Sequence, residues 1–204
     1  MNEKQMSAYY CREVLQIKFP KQDTLEFRRV ISSINQKQSI VKTKIRQKFS
    51  TIVLIEEKLE SLGVKLPNPP TPAGSYVPAV KTGNLLFISG QIPMEEGKVL
   101  FTGKVTDDNL ETAQKSARMC AINLLAQIKR ELGSLDKVTK IVRLSGFVNS
   151  DAEFYQHPKV INPASDLFFA VFGDKGKHSR IAVGVACLPL NSMTEIDAIV
   201  EFSE

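Results

Sequence analysis

The sequence has few of the side chains that metal sites and disulfides require. Its 204 residues include three cysteines and two histidines. No two cysteines form a CxxC pair. His157 and His178 lie far apart, with no cysteine or carboxylate at ligand spacing. We therefore expect no metal site.

The three cysteines, Cys11, Cys120 and Cys187, are widely separated. Cys120 falls in a helical pattern of apolar residues and Cys187 in a strand pattern, so both are expected to be buried free thiols. This usage is typical of a reducing compartment, and a cytoplasmic location is expected.

Long apolar runs and glycine-rich loops are also missing. No stretch of 18 or more apolar residues occurs, and Glu3, Lys4, Arg12 and Glu13 stand where a signal peptide needs an apolar block. No membrane association is expected. No glycine-rich loop opens a helix, so the phosphate-cradling motifs are absent and no cofactor is expected.

Positive charge is concentrated at the N-terminus. The chain has a formal net charge of +5, and residues 1–52 hold 11 Lys/Arg against 4 Asp/Glu. The remainder has 16 basic and 18 acidic residues. The basic pI therefore does not predict a nucleic-acid partner for the main domain.

Two parts are predicted, an extension over residues 1–52 and a domain over residues 53–204. Apolar residues recur at helical spacing from Leu25 to Leu62 and stop at Gly63, a usual residue after a helix. The extension is expected to be helical or disordered. It is either a lineage-specific basic helix or an upstream reading-frame extension, and the reversed charge favours the second. Four prolines within residues 66–74 predict an extended connection.

The apolar patterns of the domain predict strands and helices in an order that is typical of α+β proteins. Strands are predicted at 85–89, 99–102, 139–148, 180–187 and 194–201. A helix starts near Asp107, with a reciprocal cap between Asp108 and Glu111, and an apolar stripe carries it to Leu132 before Gly133. A second helix is predicted over 163–172, with Pro163 in its first turn. We expect two layers, a mixed sheet with two helices packed on one face.

The two C-terminal strands alternate strictly. In the first, Arg180, Ala182, Gly184 and Ala186 share one side, opposite the bulkier Ile181, Val183, Val185 and Cys187. Such a small-residue side is expected to meet a packed neighbour or a ligand. In the second strand, Thr194, Ile196, Ala198 and Val200 point inward if Glu195 points away. From these residues alone, a packing arginine and a solvated glutamate are the simpler interpretation.

Five segments, at 73–80, 83–93, 160–162, 179–189 and 195–199, keep a common order and spacing. Through them the chain from about residue 56 resembles the reactive intermediate deaminase (Rid, YjgF-like or "endoribonuclease L-PSP") family. The resemblance implies a YjgF-like, chorismate-mutase-like fold. It also implies a homotrimer with its sites between subunits.

The resemblance further implies hydrolysis of reactive 2-imino or enamine acids to 2-keto acids and ammonia. Arg180 matches the family's carboxylate clamp, a role that suits a planar, permanently charged fork. Glu195 matches the acidic position that orients water and accepts its proton. Tyr76, Ser89, Gly90 and Asn162 match positions that line the cleft.

One position departs from the family pattern, because Ala182 stands where relatives often have Cys or Ser. The sequence therefore does not determine which side chain the substrate carries. Two alternatives remain: a carboxylate-binding regulatory protein that uses Arg180 without turnover, and a ribonuclease or translation inhibitor.

A simple hairpin of the two last strands would put Arg180 opposite a residue near Val200. Glu195 would then lie ~17 Å away at the usual strand rise. One chain could not easily use both residues in one site, which favours an oligomer with shared sites.

Overall fold

The computed structural model describes residues 54–69 and 74–204, all within the compact unit Val53–Glu204. The predicted extension over residues 1–52 lies outside the described residues. The described helices are α1 (Ile55–Ser61), α2 (Leu110–Leu132) and α3 (His157–Phe172). The strands are β1 (Ala79–Thr82), β2 (Leu85–Gln91), β3 (Met94–Glu95), β4 (Lys98–Val99), β5 (Val138–Asn149), β6 (Ser179–Val185) and β7 (Thr194–Phe202).

Five strands form one mixed sheet in the order β1-β2-β7-β5-β6. β5 and β6 are parallel, and the other neighbouring pairs are antiparallel. β3 and β4 form a separate two-stranded hairpin. The predicted α+β architecture is confirmed.

The helices α2 and α3 cover one side of the sheet, here called the helix face. A hydrogen bond joins Ser116 of α2 to Thr194 of β7, and a side chain at Gly146 of β5 would collide with Ile161 of α3. The strand registers identify which residues of each strand belong to the helix face, because directly paired residues point to the same side. The opposite side is here called the open face.

The long helix α2 follows its predicted stripe and ends as expected. Ala113, Ala117, Leu124 and Ile128 are fully buried. Gly133 closes the helix in a left-handed conformation with φ of 79°. The predicted cap between Asp108 and Glu111 is wrong. Asn109 instead accepts a hydrogen bond from the Thr106 backbone, in a short 3-10 turn that precedes α2.

The helix α3 begins six residues before the predicted start, and Pro163 lies inside it. A proline has no N–H to donate, so the Lys159 carbonyl loses its usual helical partner. The Gln114 side chain of α2 donates to that carbonyl at 3.0 Å instead. This contact from another element explains why a proline is tolerated within the helix.

Three other strand predictions need correction. Only Val99 of the predicted strand 99–102 belongs to a strand, the short β4. β6 ends at Val185, which leaves Cys187 exposed rather than buried. The hairpin of the two last strands is wrong, since β6 pairs in parallel with β5 at the sheet edge and β7 lies between β2 and β5.

Candidate functional site

The candidate arginine, Arg180, lies on the edge strand β6 and points to the helix face. Its neighbour in register is Leu144 of β5, which is fully buried. Its Nη1 donates to Asn162 Oδ1 at 3.0 Å and to Ser165 Oγ at 2.9 Å. Nη2 donates to the Pro158 carbonyl at 3.4 Å. The helix α3 therefore holds one side of the guanidinium.

Part of the guanidinium remains available for a ligand. The group has five N–H donors, and the three contacts with α3 use both hydrogens of Nη1 and one of Nη2. Among the described residues, nothing accepts from Nε–H or from the second Nη2 hydrogen. Two N–H groups in a planar fork suit the two oxygens of a carboxylate.

The row of small residues beside Arg180 is explained by the approach of α3. Ala182 is half-buried and packs against the core. A side chain at Gly184 would come within 2.4 Å of His157 Nε2 and 2.8 Å of Ser150 Oγ. At this end of β6, the groups that approach the small residues are therefore side chains of the protein and not a ligand.

The candidate acid, Glu195, lies on the open face of β7. It pairs with Phe147 of β5, one residue from the inward-pointing Thr194. Its side chain is half-buried. Burial, and then the negative charge of Asp197, raise the pKa of the Glu195 carboxyl. A raised pKa makes the carboxylate a better proton acceptor near neutral pH.

Gly90 lies directly beneath that carboxylate. A Cβ built on Gly90 would fall 2.0 Å from Glu195 Oε1, so only glycine leaves room for the carboxylate as it is placed. Ser89 and Gly90 form an irregularity in β2, where the register with β7 shifts between Ile88 and Gln91. This bulge lets Glu195 approach the β2 backbone.

The bulge is held by a residue that the sequence analysis did not single out. The buried Gln91 side chain donates to the carbonyls of Ser89 and Gly90 at 2.9 and 3.2 Å. It also accepts from Gln127 of α2 at 3.4 Å. The only sequence signal for this role was the position of Gln91 directly after an apolar strand pattern.

Ser89 and Tyr76 differ in what they can offer a ligand. The Ser89 hydroxyl donates to the Val77 carbonyl at 2.9 Å, so its lone pairs remain for accepting a hydrogen bond. Tyr76, beside Val77 in the chain, is 54% exposed. No contact among the described residues joins Tyr76 to Glu195.

All the predicted residues except Tyr76 fall into two clusters, and Ser165 joins one of them. The arginine cluster contains Arg180, Asn162 and Ser165, and the glutamate cluster contains Glu195, Ser89 and Gly90. Arg180 is in register with Ala198 through Leu144, and Glu195 is three residues further along β7. Strand rise and spacing put their Cα atoms about 14 Å apart, and their side chains leave opposite faces of the sheet. One chain does not bring the two clusters together.

The open face carries apolar side chains from several strands. Phe87 of β2 is 39% exposed and Ile181 of β6 is 41% exposed. Neighbours on the same face are half-buried or exposed: Val80, Phe147, Val183, Val185 and Ile199. No described helix covers this surface.

Other kinds of site find no support in the described part of the chain. Among residues 54–69 and 74–204, no three His, Cys, Asp or Glu side chains are grouped to hold a metal ion. Within the same ranges, no helix has the length and hydropathy needed to span a membrane. Burial raises the pKa of the Cys120 thiol to about 12, which disfavours the reactive thiolate form.

Comparison with known proteins decides the family. The model of the family described as "YjgF/chorismate_mutase-like, putative endoribonuclease" matches residues 56–202. The chain belongs to the YjgF-like family. The resemblance noted from five sequence segments is thereby confirmed.

Relatives within the YjgF-like family carry different names. Protein TCP17 of Trypanosoma cruzi is 41% identical over 151 residues, which cover 73% of this chain and 94% of TCP17. The "2-iminobutanoate/2-iminopropanoate deaminase" of Dermatophagoides farinae is 29% identical over 138 residues, covering 67% and 93% of the two chains.

Solved structures support the same fold. The crystal structure of protein Atu1372 from Agrobacterium tumefaciens, described as of unknown function, is 48% identical. It superimposes with a TM-score of 0.68 and covers 74% of this chain and 94% of Atu1372. The similarity extends over nearly all of the Atu1372 chain.

Proposed function

We propose that this protein hydrolyses reactive 2-imino or enamine acids to 2-keto acids and ammonia. The observation that carries the proposal is the Arg180 guanidinium, which α3 holds while two of its N–H donors have no acceptor among the described residues. A carboxylate is the ligand that such a fork recognises. The relative from Dermatophagoides farinae, named as a 2-iminobutanoate/2-iminopropanoate deaminase, supports the same class of substrate.

In the proposed reaction, Arg180 binds the substrate carboxylate and fixes the imine carbon. Glu195 orients a water molecule and accepts one of its protons as the oxygen bonds to the carbon of the protonated imine, whose C=N electron pair moves to the nitrogen. The product of this step is a tetrahedral carbinolamine. Glu195 then returns the proton to the amino nitrogen. The C–N bond breaks, ammonia leaves, and the carbonyl forms as the hydroxyl group gives its proton to Glu195.

We further propose that the working site forms between two copies of the chain. Arg180 and Glu195 leave opposite faces of the sheet, so a second subunit is needed to bring one beside the other. The apolar open face, which includes Phe87 and Ile181, is the surface that we assign to subunit contact. A closed homotrimer gives three equivalent sites, each with arginine and glutamate clusters from different chains.

The activity is tested by generating the short-lived substrate enzymatically in the assay mixture. An amino-acid oxidase or a dehydratase that acts on serine or threonine releases the imino acid, and formation of the 2-keto acid is followed with and without this protein. We expect the protein to accelerate ketoacid release above the spontaneous rate. Binding of 2-keto acids without acceleration would instead support a carboxylate-binding regulatory protein. Cleavage of RNA by the same preparation, without acceleration, would support a ribonuclease.

A further inference from the structure

A chain of three hydrogen bonds runs from Arg180 to the backbone beyond it. Nη1 of Arg180 donates to Ser165 Oγ at 2.9 Å. Ser165 Oγ lies 3.0 Å from His178 Nε2, and His178 Nδ1 lies 2.6 Å from the Gly176 carbonyl. Neither Ser165 nor His178 was singled out as a site residue from the sequence. Because the predicted α3 began at Pro163, Asn162 and Ser165 were not recognised as neighbours on one helix.

The chemistry of the two ends fixes the protons between them. A guanidinium can only donate and a carbonyl can only accept. His178 Nδ1 must therefore carry a hydrogen and donate it to Gly176. The Ser165 oxygen accepts from Arg180, so its own hydrogen is available for His178 Nε2. All three bonds are satisfied when His178 is neutral with its hydrogen on Nδ1.

The surroundings of His178 favour that neutral form. The ring is half-buried and meets Phe168 of α3 edge to face, with centroids 6.3 Å apart. Burial lowers the pKa of His178, and the positive charges of Arg180 on β6 and Lys140 on β5 lower it further, against the opposing effect of the Gly176 carbonyl. In the turn Gly173–Gly176, Asp174 is paired with Lys177.

We propose that Ser165 and neutral His178 are positioning residues that hold the Arg180 guanidinium in its carboxylate-binding orientation. This inference rests on the proposed role of Arg180 as the carboxylate clamp. Neither residue touches the substrate in this account. His178 keeps the Ser165 oxygen turned toward Arg180, and that bond, with the one to Asn162, fixes the plane of the fork.

Protonation of His178 disturbs this arrangement. A hydrogen on Nε2 would point at the hydrogen of the Ser165 hydroxyl, which must then rotate. The positive charge on His178 would also repel the Arg180 guanidinium from its place against Ser165. Carboxylate binding is therefore expected to weaken as the pH falls through the pKa of His178, which lies below the ordinary histidine value.

The test measures binding of 2-oxobutanoate, a stable 2-keto carboxylate, to the full chain by calorimetry between pH 5 and pH 8. His178→Phe keeps a ring against Phe168 but removes both polar nitrogens, and Ser165→Ala removes the link. Each is expected to raise the Kd about 3- to 10-fold at pH 7.5, the usual worth of one such hydrogen bond. Both variants interrupt the same chain of hydrogen bonds. The double variant should therefore bind 2-oxobutanoate no more weakly than the single variant with the lower affinity.

A second variant separates positioning from general packing. His178→Gln keeps a side-chain acceptor for Ser165 but does not titrate. It should bind nearly as well as the wild type at pH 7.5 and lose less affinity at acid pH. The wild type and His178→Gln both carry Glu195. The difference between their pH dependences of binding therefore reports His178 alone. His157→Gln changes the only other histidine in the sequence and should keep the wild-type pH dependence.

The outcomes separate this inference from the proposed function. Wild-type affinity in His178→Phe and Ser165→Ala, with binding lost in Arg180→Ala, would overturn the positioning role and leave the clamp intact. No binding of 2-oxobutanoate to the wild type would overturn both. If His178→Phe fails to fold, the pH dependence of His178→Gln decides, and a profile equal to that of the wild type would contradict the inference.

Discussion

Arg180 and Glu195 leave opposite faces of the same sheet. Arg180 points toward α3, where Asn162 and Ser165 hold it, and Glu195 lies above Gly90 on the open face. The two residues proposed for substrate binding and for water activation are therefore separated by the sheet itself. The site that we propose therefore takes these two residues from two chains.

Replacing Arg180 with alanine is expected to abolish acceleration of imino-acid hydrolysis. Loss of a fork that binds a buried carboxylate costs about 2–5 kcal/mol of binding. The fold should stay intact because Arg180 lies on an edge strand, and the loss of its three hydrogen bonds to α3 should lower the melting temperature only modestly. Arg130→Ala is the matched control, because the hydrogen bond and ion pair of that exposed arginine among the described residues are with its neighbour Glu131, and this variant should keep full activity. Unchanged rates in Arg180→Ala would contradict the deaminase proposal.

Two glycine-to-alanine changes should separate function from stability. In Gly90→Ala the new methyl group meets the movable Glu195 carboxylate, so activity should fall while the melting temperature stays near that of the wild type. In Gly146→Ala the methyl group meets Ile161 in the core at 2.7 Å. Overpacking of this kind costs about 1–3 kcal/mol of folding free energy. Thermal melts and ketoacid assays on both variants check the contrast, and full activity in Gly90→Ala would argue against a role for Glu195.

In His178→Gln, where position 178 cannot titrate, the acid limb of the rate–pH profile is expected to report Glu195. Its carboxylate must be ionised to accept a proton, and burial followed by the Asp197 charge raises its pKa. Asp197→Asn removes the second effect, so the pKa of Glu195 falls and the acid limb moves to lower pH. Asp108→Asn, at an exposed carboxylate in a 3-10 turn, should leave the profile in place. A limb that does not move in Asp197→Asn would mean that another group titrates.

Removal of residues 1–52 is expected to leave the melting temperature and ketoacid release nearly unchanged. The buried core of the described region runs from Leu59 to Val200 and closes among its own helices and strands. Differential scanning calorimetry of the shortened chain provides the comparison. Aggregation or a much lower melting temperature would show that the extension is a structural part of the domain.

The sequence predicted α2 and the two sides of β6 and β7 because local patterns determine them. The α2 stripe is unbroken and ends at Gly133, whose left-handed conformation suits glycine. Thr194 and Glu195 alternate as a half-buried strand must. These features depend on residues close together in the chain, so periodicity is enough to find them.

The start of α3 and the pairing of β6 depend on distant residues. Pro163 normally marks a helix start, and only the donation from Gln114 to the Lys159 carbonyl permits it inside the helix. β6 alternates equally well as a hairpin partner of β7 or as a parallel edge strand beside β5. The family resemblance supplied the candidate site residues, whereas their separation onto two faces followed only from the strand order.

We propose that one site takes Arg180 from one chain and Glu195 from another. Arg180→Ala and Glu195→Ala chains, each inactive alone, can be produced together with different tags and purified as mixed oligomers. In a cyclic trimer of mixed composition, one of the three interfaces joins an intact Arg180 to an intact Glu195, so about a third of wild-type ketoacid release should return. Mixed trimers that stay as inactive as either parent would show that both residues serve one chain's site, and would contradict the account.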